Sequence, residues 1–442
     1  MATVLNGKYT SATIFANMVE DGVYEQVYDI INSKAFSGQK VVCMPDVHVG
    51  ASGPCGLVAT IGDYVNPEHV GVDIGCGVSL MMLDKPIPSD KYAEFEHKVK
   101  TRIPFGQNIH ESPVIDEKDL CQFLTEGFNR YRNYWPEMLS GLPDRVDERW
   151  LWQVIHRVNI KPKVFYNSLG TVGGGNHFIE YDESDDGNVA GITLHFGSRN
   201  FGLKVCKYWM ARTNGALSRE EKRAATKKFK DEYIRENKQA DGTCKMEGFD
   251  KLLQEHLDGL SEGRVSGYLN GDNMKGYLCD MCLAQLYAQY NHITVQRIIS
   301  EILFKYGIKC KKTITTTHNF IDLNDHTLRK SAIRSYASEE IVIPFNMRDG
   351  IAVCVGKSNA DWLYSCSHGA GRKMSRTQAK ELVTLDEFER SMDGIYSTSV
   401  CRETIDESPM AYKDTEEIKE LIKETCDVIC FLKPKINIKA TS

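Results

Sequence analysis

Residues 365–376, SCSHGAGRKMSR, place a histidine before three small residues and three cations. The small neighbours leave the His368 imidazole open to a bulky partner. Backbone N–H groups of the glycines and of a helix predicted to begin here would bind phosphate, together with Arg372, Lys373 and Arg376. An imidazole facing such a site can act as a nucleophile toward phosphorus. A surface turn before a basic helix explains this segment alone equally well.

Two earlier segments put acidic, thiol and imidazole groups close together. In MPDVHVG, Asp46 and His48 occupy alternate positions and face the same side of an extended chain. In GVDIGCGV, Asp73 and Cys76 stand two residues apart, so they can hold one metal ion or bridge two. The alternatives are a turn with a satisfied histidine in the first segment and a buried structural cysteine beside a turn aspartate in the second.

Three further segments end a predicted strand or loop in a polar side chain. The glycine-rich GTVGGGNHFIE fits neither the GxGxxG dinucleotide pattern nor the P-loop. These segments contribute Asn176, His177, Glu180, His195, Arg199, His318 and Asn319. Because the same arrangement recurs, one shared site explains it better than independent structural accidents. The residues expected to meet there are Cys76, His177, His195, His318 and His368.

Composition limits the possible class of protein. The 442 residues are 42% hydrophobic and 26% charged, which is typical of a soluble globular enzyme. The sequence has no bilayer-length apolar run, no signal-peptide pattern, and 14 cysteines without regular spacing. These features predict a cytoplasmic protein without a membrane partner. The net charge of −6 means that any nucleic acid would need a local basic patch.

The chain closely resembles the RtcB family of GTP-dependent RNA-splicing ligases. The matching blocks run from residue 44 to residue 440: MPDVHVG, GVDIGCGV, GTVGGGNHFIE, HFGSR, THNF, RKSAIR, SCSHGAGRKMSR, DESPMAYKD and INIKA. The resemblance implies an enzyme that joins RNA ending in a 3′-phosphate or 2′,3′-cyclic phosphate to RNA with a 5′-hydroxyl end. Its cofactors would be GTP and two Mn²⁺ ions, and it would serve RNA repair or tRNA splicing.

The predicted fold is one compact α+β domain over residues 1–442. Short mixed strands would form a central metal and nucleotide site, and helices would wrap it. The segments at about 84–157 and 204–308 are predicted to be helical insertions.

Site roles follow from the resemblance, motif by motif. His368 would become guanylylated, and Cys76 would bridge two metal ions. His195 and His318 would complete one metal site, and Asp73 and His177 the other. Expected GMP contacts are Asn176, Glu180, His318, Asn319, Asn346, His368, Gly369, Ala370, Gly371, Arg372 and Lys439. Expected RNA or phosphate contacts are Asp46, Arg199, Lys330, Arg334, Lys373 and Arg376.

Ligand types alone leave the metal open. A Cys-His-His set favours zinc, whereas a site containing an aspartate suits a harder ion such as Mn²⁺. The expectation of manganese therefore rests on the resemblance to the family.

The sequence also departs from the family pattern. Residues 344–348 read PFNMR where the family has a PGSMG-like turn, and VGASGPCG replaces a PGYGFPIG-like run. We therefore expect altered nucleotide affinity or selectivity. Two other functions stay open: a metal-dependent phosphoesterase that processes RNA phosphate ends, and a catalytically altered RNA-binding paralogue. Labelling of His368 by GTP would exclude the phosphoesterase.

Overall fold

Short strands and helices alternate along the chain in the computed structural model, which describes residues 2–213, 219–238, 246, 248–261 and 265–441. The strands are β1 (Thr3–Asn6), β2 (Ser11–Ile14), β3 (Val41–His48), β4 (Cys55–Thr60), β5 (Gly77–Leu83), β6 (Phe178–Glu183), β7 (Ala190–Phe196), β8 (Cys310–Thr317), β9 (Phe320–Asp322), β10 (Thr327–Lys330), β11 (Ala332–Arg334), β12 (Glu340–Pro344), β13 (Ile351–Gly356), β14 (Ser365–Ser367) and β15 (Cys426–Ile438).

The α-helices are α1 (Asp21–Ile31), α2 (Pro67–Val70), α3 (Tyr92–Arg102), α4 (Glu117–Arg132), α5 (Glu148–Arg157), α6 (Pro162–Asn167), α7 (Arg199–Met210), α8 (Arg219–Glu236), α9 (Phe249–Ser261), α10 (Gly271–Phe304), α11 (Arg376–Leu382), α12 (Leu385–Ser391) and α13 (Thr415–Leu421). Short 3₁₀ segments lie at Lys34–Phe36, Ser89–Lys91, Ala360–Trp362, Arg402–Glu407, Pro409–Ala411 and Ile422–Glu424.

The described strands form two large sheets and one small pair. One sheet has the order β1-β2-β3-β4-β10-β9, and the other has β12-β13-β15-β6-β7-β5-β8. Strands β11 and β14 pair separately. Strands β2 and β3 run parallel, and the other described pairs are antiparallel. With helices packed around these sheets, the predicted compact α+β fold is confirmed.

Helix α10 connects the hydrophobic core to the loops that follow β7 and precede β6. Its first half packs in one large apolar cluster, and its second half packs against the inner face of β6 and β7. The Asn291 side chain, which is fully buried, donates to the carbonyls of Thr171 (3.1 Å) and Gly197 (3.3 Å) and accepts from the Gly170 N–H at 2.7 Å. One core amide therefore holds two of the motif loops in place.

One local prediction was wrong. The helix after His368 does not begin at Arg372: α11 begins at Arg376, where Ser375 and Gln378 form a capping box. Arg372 forms a β-bridge with Tyr412, and residues 373–374 form a bend.

Asp73 and Cys76 lie in the turn before β5, where Gly75 adopts φ +71°.

The helical insertions stay a prediction. Helices α3, α4 and α5 lie mostly within 84–157. Parts of the second segment, at 214–218, 239–245, 247 and 262–264, lie outside the described residues. Among the helices that the structure describes, none combines the length and the apolarity required to cross a bilayer.

Arg329 of β10 provides a test of how much a buried ion pair contributes to the stability of the fold. Its side chain is fully buried, and it donates to Asp325 Oδ2 at 2.6 Å and to Ser365 Oγ at 2.9 Å. Replacing it by leucine leaves a partly buried carboxylate without its partner, so Arg329→Leu should destabilise the protein by about 3–5 kcal/mol. Urea unfolding followed by circular dichroism measures this change.

The matched control is Arg102→Leu, which removes an exposed ion pair with Glu301. An exposed pair contributes less than about 1 kcal/mol. Equal losses of stability in the two variants would show that the buried Arg329 ion pair contributes no more than an exposed one.

Candidate active site

Four separate segments bring their metal-ligand side chains to one point. Cys76, His195 and His318 form one cluster, and Asp73, Cys76 and His177 form another, with ligand atoms within 4.8 Å of one another. Cys76 Sγ lies 3.5 Å from the Nε2 atoms of both His177 and His195, and His195 Nε2 lies 3.4 Å from His318 Nε2. The two clusters share Cys76, as an arrangement of two neighbouring ions would require.

The ionisation of these groups suits cation binding. Burial lowers the pKa of both His195 and His318 well below the ordinary histidine value, so both rings are neutral and keep a lone pair. Although burial opposes it, hydrogen bonding to His177 lowers the pKa of Asp73 to about 2. Burial raises the pKa of the Cys76 thiol well above its usual range, and the Asp73 charge adds to the rise. A bound cation would reverse this last shift by stabilising the thiolate.

Backbone and side-chain contacts hold Asp73 in this position. Asp73 Oδ1 accepts from the Ser198 N–H at 2.9 Å, and the Asn319 amide donates to the Asp73 carbonyl at 3.3 Å. A Cβ on Gly197 would lie 2.5 Å from Asp73 Oδ1, so glycine is required for this approach. Asp73 Oδ2 is buried and lies 2.9 Å from His177 Nε2, in the cluster that also contains Cys76. This oxygen fits a metal ligand.

His368 lies beside the metal-ligand cluster and is oriented by Asp46. The rings of His368 and His318 have centroids 4.9 Å apart. Asp46 Oδ2 is 2.7 Å from His368 Nδ1 and also accepts from the backbone N–H groups of His368 (3.1 Å) and Gly369 (3.3 Å). These contacts assign the ring proton to Nδ1. The lone pair of Nε2 is then available to a reaction partner.

Gly371 fixes the segment that follows His368. It adopts φ +72°, and a Cβ there would lie 2.2 Å from the Asp46 carbonyl oxygen. The predicted role of the small residues after His368 was to leave space for a ligand. In the structure Gly371 also allows the backbone to pack directly on β3.

His368 opens into a cavity of about 530 Å³. Of the residues expected to contact GMP, the following line it: Asn176, Glu180, Asn346, His368, Gly369, Ala370, Gly371, Arg372 and Lys439. His195 and Arg376 also line it. One cavity thus joins a histidine nucleophile candidate, a metal-ligand histidine and several cations.

A buried ionic network lies at one side of this cavity. Glu407 is contacted by Lys439 Nζ at 3.2 Å, by Arg372 Nη1 at 3.5 Å and by Arg376 Nη1. Although burial opposes it, the Lys439 charge and then those of the two arginines lower the pKa of Glu407 to about 2. The carboxylate therefore stays ionised and holds three cations in position.

The acidic residues of β6 behave differently. Burial, together with the Asp182 charge, raises the pKa of Glu180 well above its usual range, and burial raises that of Asp182 to about 7. Glu180 Oε2 accepts from the Asn437 amide, opposite it on β15. A protonated Glu180 can donate a hydrogen bond to a ligand as well as accept one.

Several predicted contact residues lie outside this lining. Asn319 bridges Asp73 and the Ser331 N–H, and Arg199 donates to Thr171 Oγ1 and the Gly106 carbonyl. Both side chains therefore support neighbouring loops. His318 and Asp46 do not line the cavity, but both contact His368, which does.

Three predicted cations differ from one another in exposure. Lys330 is buried, and its Nζ donates to the carbonyls of Ser52 and Gly53. Arg334 pairs with Glu339 and lines a second cavity of about 510 Å³. Lys373 is exposed.

Among the cavity residues that sequence reasoning missed are Glu407 and Asn437. Glu407 stands in the block DESPMAYKD, whose role was not assigned. Asn437 precedes Lys439 by two residues, so the alternation of a strand puts both on one face. That alternation was a usable signal for Asn437, whereas nothing local indicates that Glu407 organises three distant cations.

Comparison with known proteins identifies the family to which this chain belongs. The sequence signature described as tRNA-splicing ligase RtcB matches residues 26–440. The chain belongs to the RtcB family. It is 28% identical to the RNA-splicing ligase RtcB of Escherichia coli K12 over 91% of both chains. It is 24% identical to the tRNA-splicing ligase RtcB of Nanoarchaeum equitans over 94% of this chain and 91% of that protein.

A second E. coli protein, RNA-splicing ligase RtcB2 of strain ATCC 25922, is 23% identical over 87% of this chain and 83% of its own length. RtcB membership therefore extends over nearly the whole chain, and it confirms the resemblance seen in the sequence blocks.

Cys76 offers a direct test of the shared metal centre in this RtcB-family chain. Cys76→Ser should lose divalent ions from both clusters, because an alcohol ionises far less readily than a thiol. Isothermal titration with Mn²⁺ should show affinity lowered at least about tenfold at both sites.

Cys206→Ser is the matched control, since Cys206 is also buried but lies on α7 away from both clusters. Unchanged Mn²⁺ binding by Cys76→Ser would show that the thiol is only a packing residue.

Proposed function

We propose that this protein is an RNA ligase that joins 3′-phosphate or 2′,3′-cyclic phosphate RNA ends to 5′-hydroxyl ends, with GTP and two Mn²⁺ ions. RtcB membership supports the RNA ligase class. The observation that carries the finer proposal is His368: its Nδ1 proton is held by Asp46, and its ring lies between the metal-ligand cluster and the cavity. RNA repair and tRNA splicing are both compatible with this activity.

The first step uses the free lone pair of His368 Nε2. Nε2 attacks the α-phosphorus of GTP, a nitrogen–phosphorus bond forms, and the bond to pyrophosphate breaks. The ring then becomes an imidazolium, and the Asp46 carboxylate stabilises its positive charge. Because Asp46 already accepts three hydrogen bonds, neither the ring nor its backbone has to reorganise during the step.

The second step explains why a nucleotide is used. A 3′-phosphate is dianionic and would have to expel oxide or hydroxide, so a 5′-hydroxyl does not displace it directly. Transfer of GMP from His368 to this phosphate creates an anhydride whose leaving group is GMP. Attack by the 5′-hydroxyl then forms the phosphodiester and releases GMP.

The charged residues of the cavity would bind the anionic parts of the nucleotide. Arg372 and Lys439 face it, and Glu180 with Asn437 offers polar groups for a base edge. Asp73, Cys76, His177, His195 and His318 would hold the Mn²⁺ ions. When bound, these ions would screen phosphate charge and activate a hydroxyl or water.

The polar side chains of the turn at residues 344–348 contact Asp349. Asn346 donates to Asp349 Oδ2 at 2.7 Å and accepts two backbone N–H groups, while Arg348 pairs with Asp349 at 2.7 Å. Phe345 is buried in a small apolar cluster. The predicted contact of Asn346 with the base would therefore require this turn to rearrange, and the expectation of altered nucleotide selectivity still stands.

A metal-dependent phosphoesterase remains the second candidate function, because the same ligands could activate water. In such an enzyme a metal-activated water would be the nucleophile, so a nucleophilic histidine would not be required. The geometry at His368 therefore favours the ligase. The cytoplasmic location stays a prediction from the sequence.

The decisive experiment is covalent labelling. Incubation with α-labelled GTP and Mn²⁺ should give an acid-labile protein adduct, and His368→Ala should abolish it because Nε2 is lost. Adduct is quantified on a denaturing gel, with circular dichroism to confirm folding.

His97→Ala is the control, since His97 is exposed on α3 and does not line the cavity. Undiminished labelling of His368→Ala would falsify the assignment of the nucleophile.

RNA binding should be local and salt-sensitive, because the chain carries a net charge of −6. Lys373 is exposed next to the cavity-lining Arg372. Lys373→Ala should weaken binding and reduce the slope of log affinity against log salt by about 1, as expected for one lost phosphate contact.

Fluorescence anisotropy with a 3′-phosphate RNA between low and moderate salt measures this slope. Lys118→Ala, which changes an exposed lysine of α4, should leave it unchanged. A slope that is the same in all three proteins would remove Lys373 from the RNA surface.

A further inference from the structure

A cysteine and a histidine form another part of the wall of the His368 cavity. Cys55 and His48 stand directly opposite each other on the antiparallel strands β3 and β4, and both line this cavity. His48 Nδ1 lies 2.8 Å from the Asp46 carbonyl oxygen, so it donates there and leaves Nε2 for the thiol. Ser331 lines the same cavity.

The surroundings of this pair favour a thiolate. Lys330 Nζ donates to the carbonyls of Ser52 (2.7 Å) and Gly53 (3.0 Å), close to Cys55 in the chain. Although burial opposes ionisation, the charges of His48 and then Lys330 lower the pKa of Cys55 to about 6.

Charged groups near His48 and Lys330 also affect the pKa values of these two residues. Burial opposes the charge on His48, but the Cys55 charge raises the pKa of the imidazole, and Asp46 adds to this. Glu68 and Cys206 act on Lys330, whose pKa is lowered by burial. These shifts favour a Cys55 thiolate beside a His48 imidazolium at neutral pH.

Two other partly exposed cysteines, Cys279 and Cys430, lack this environment. Burial raises the pKa of Cys279 to about 11 and also raises that of Cys430. A thiolate is the reactive form of cysteine. At neutral pH, Cys55 is thus activated where Cys279 and Cys430 are not.

The cavity also offers a hydrogen-bond acceptor to a ligand that carries donors. The Asn437 side chain is fully buried in its lining, and its Oδ1 has no hydrogen-bond partner among the described residues. A small peptide disulfide brings N–H donors of this kind, and its sulfur atoms are the electrophile that a thiolate attacks.

We propose that Cys55 is a modification site for small peptide disulfides and that its mixed disulfide closes the cavity to nucleotide. Cys55 Sγ attacks one sulfur of R–S–S–R, the Cys55–S–S–R bond forms, and R–S⁻ leaves with the electron pair of the broken bond. The attached group then occupies the space in front of His368. Closure toward GTP rests on the proposed function, whereas the thiol exchange does not.

The test uses the full-length protein and glutathione disulfide over a range of pH. Peptide mass spectrometry should locate the added glutathione on Cys55, with a rate that rises through a midpoint near pH 6. In His48→Ala the midpoint should move toward the ordinary thiol value of about 8.5. At pH 5.5 its rate should fall roughly 20-fold, after allowance for the greater nucleophilicity of a more basic thiol. His48→Gln serves if the alanine variant fails to fold.

Two variants complete the design. Glutathione treatment should abolish the GTP-dependent adduct of the wild-type protein, dithiothreitol should restore it, and Cys55→Ser should keep it throughout. Cys430→Ser, a control at another partly exposed cysteine, should behave like the wild-type protein.

Three results would overturn the inference or part of it. No glutathione on Cys55, or a pH midpoint unaffected by His48 substitution, overturns the activated thiol. A Cys55 mixed disulfide that leaves adduct formation intact overturns closure of the cavity. If the untreated protein forms no adduct, the proposed function fails and closure of a nucleotide site fails with it, while the mapped peptide still decides the thiol exchange.

Discussion

The contact between Asp46 and the segment around His368 is the interaction on which the arrangement of the site depends. The Asp46 side chain is fully buried, so water cannot stabilise its charge and protein donors must do so. Its Oδ2 obtains three donors, all from His368 and Gly369. Asp46 belongs to the six-stranded sheet, whereas His368 follows β14 of the separate pair. The hydrogen-bond requirement of one carboxylate therefore fixes both the proximity of these parts and the tautomer of the ring.

His195 lies in β7 and the other predicted metal ligands stand on loops, and the core holds these segments in place. Asn291 and His292 of α10 are buried, and they bond to the two backbone carbonyls that directly follow His195, those of Phe196 and Gly197. Close backbone approach adds a second constraint: a Cβ on Gly173 would lie 2.2 Å from His177 Nδ1. The ligand geometry is thus set by packing and by glycine, before any ion binds.

The sequence allowed prediction of the residues that carry chemistry better than of the elements around them. Polar side chains at strand ends indicated the cluster around Cys76, and the alternation of short strands indicated the α+β class. The start of α11 was predicted four residues too early, although Ser375 and Gln378 form a capping box that was readable in the sequence. The network around Glu407 could not be predicted, because each of its three partners lies 31 to 35 residues from Glu407 in the chain. They meet it only through tertiary packing.

The same network explains how an acidic chain can present a positive cavity. Glu407 and Asp406, which pairs with Arg376 at 2.6 Å, neutralise two of the three charges carried by Arg372, Arg376 and Lys439, and burial keeps Glu180 protonated. One positive charge therefore remains on this side of the cavity. Since the carboxylate already fixes the three side chains, an anionic ligand would meet oriented cations, and less conformational entropy would be lost on binding. Local pairing, rather than net charge, thus determines which ligands this cavity favours.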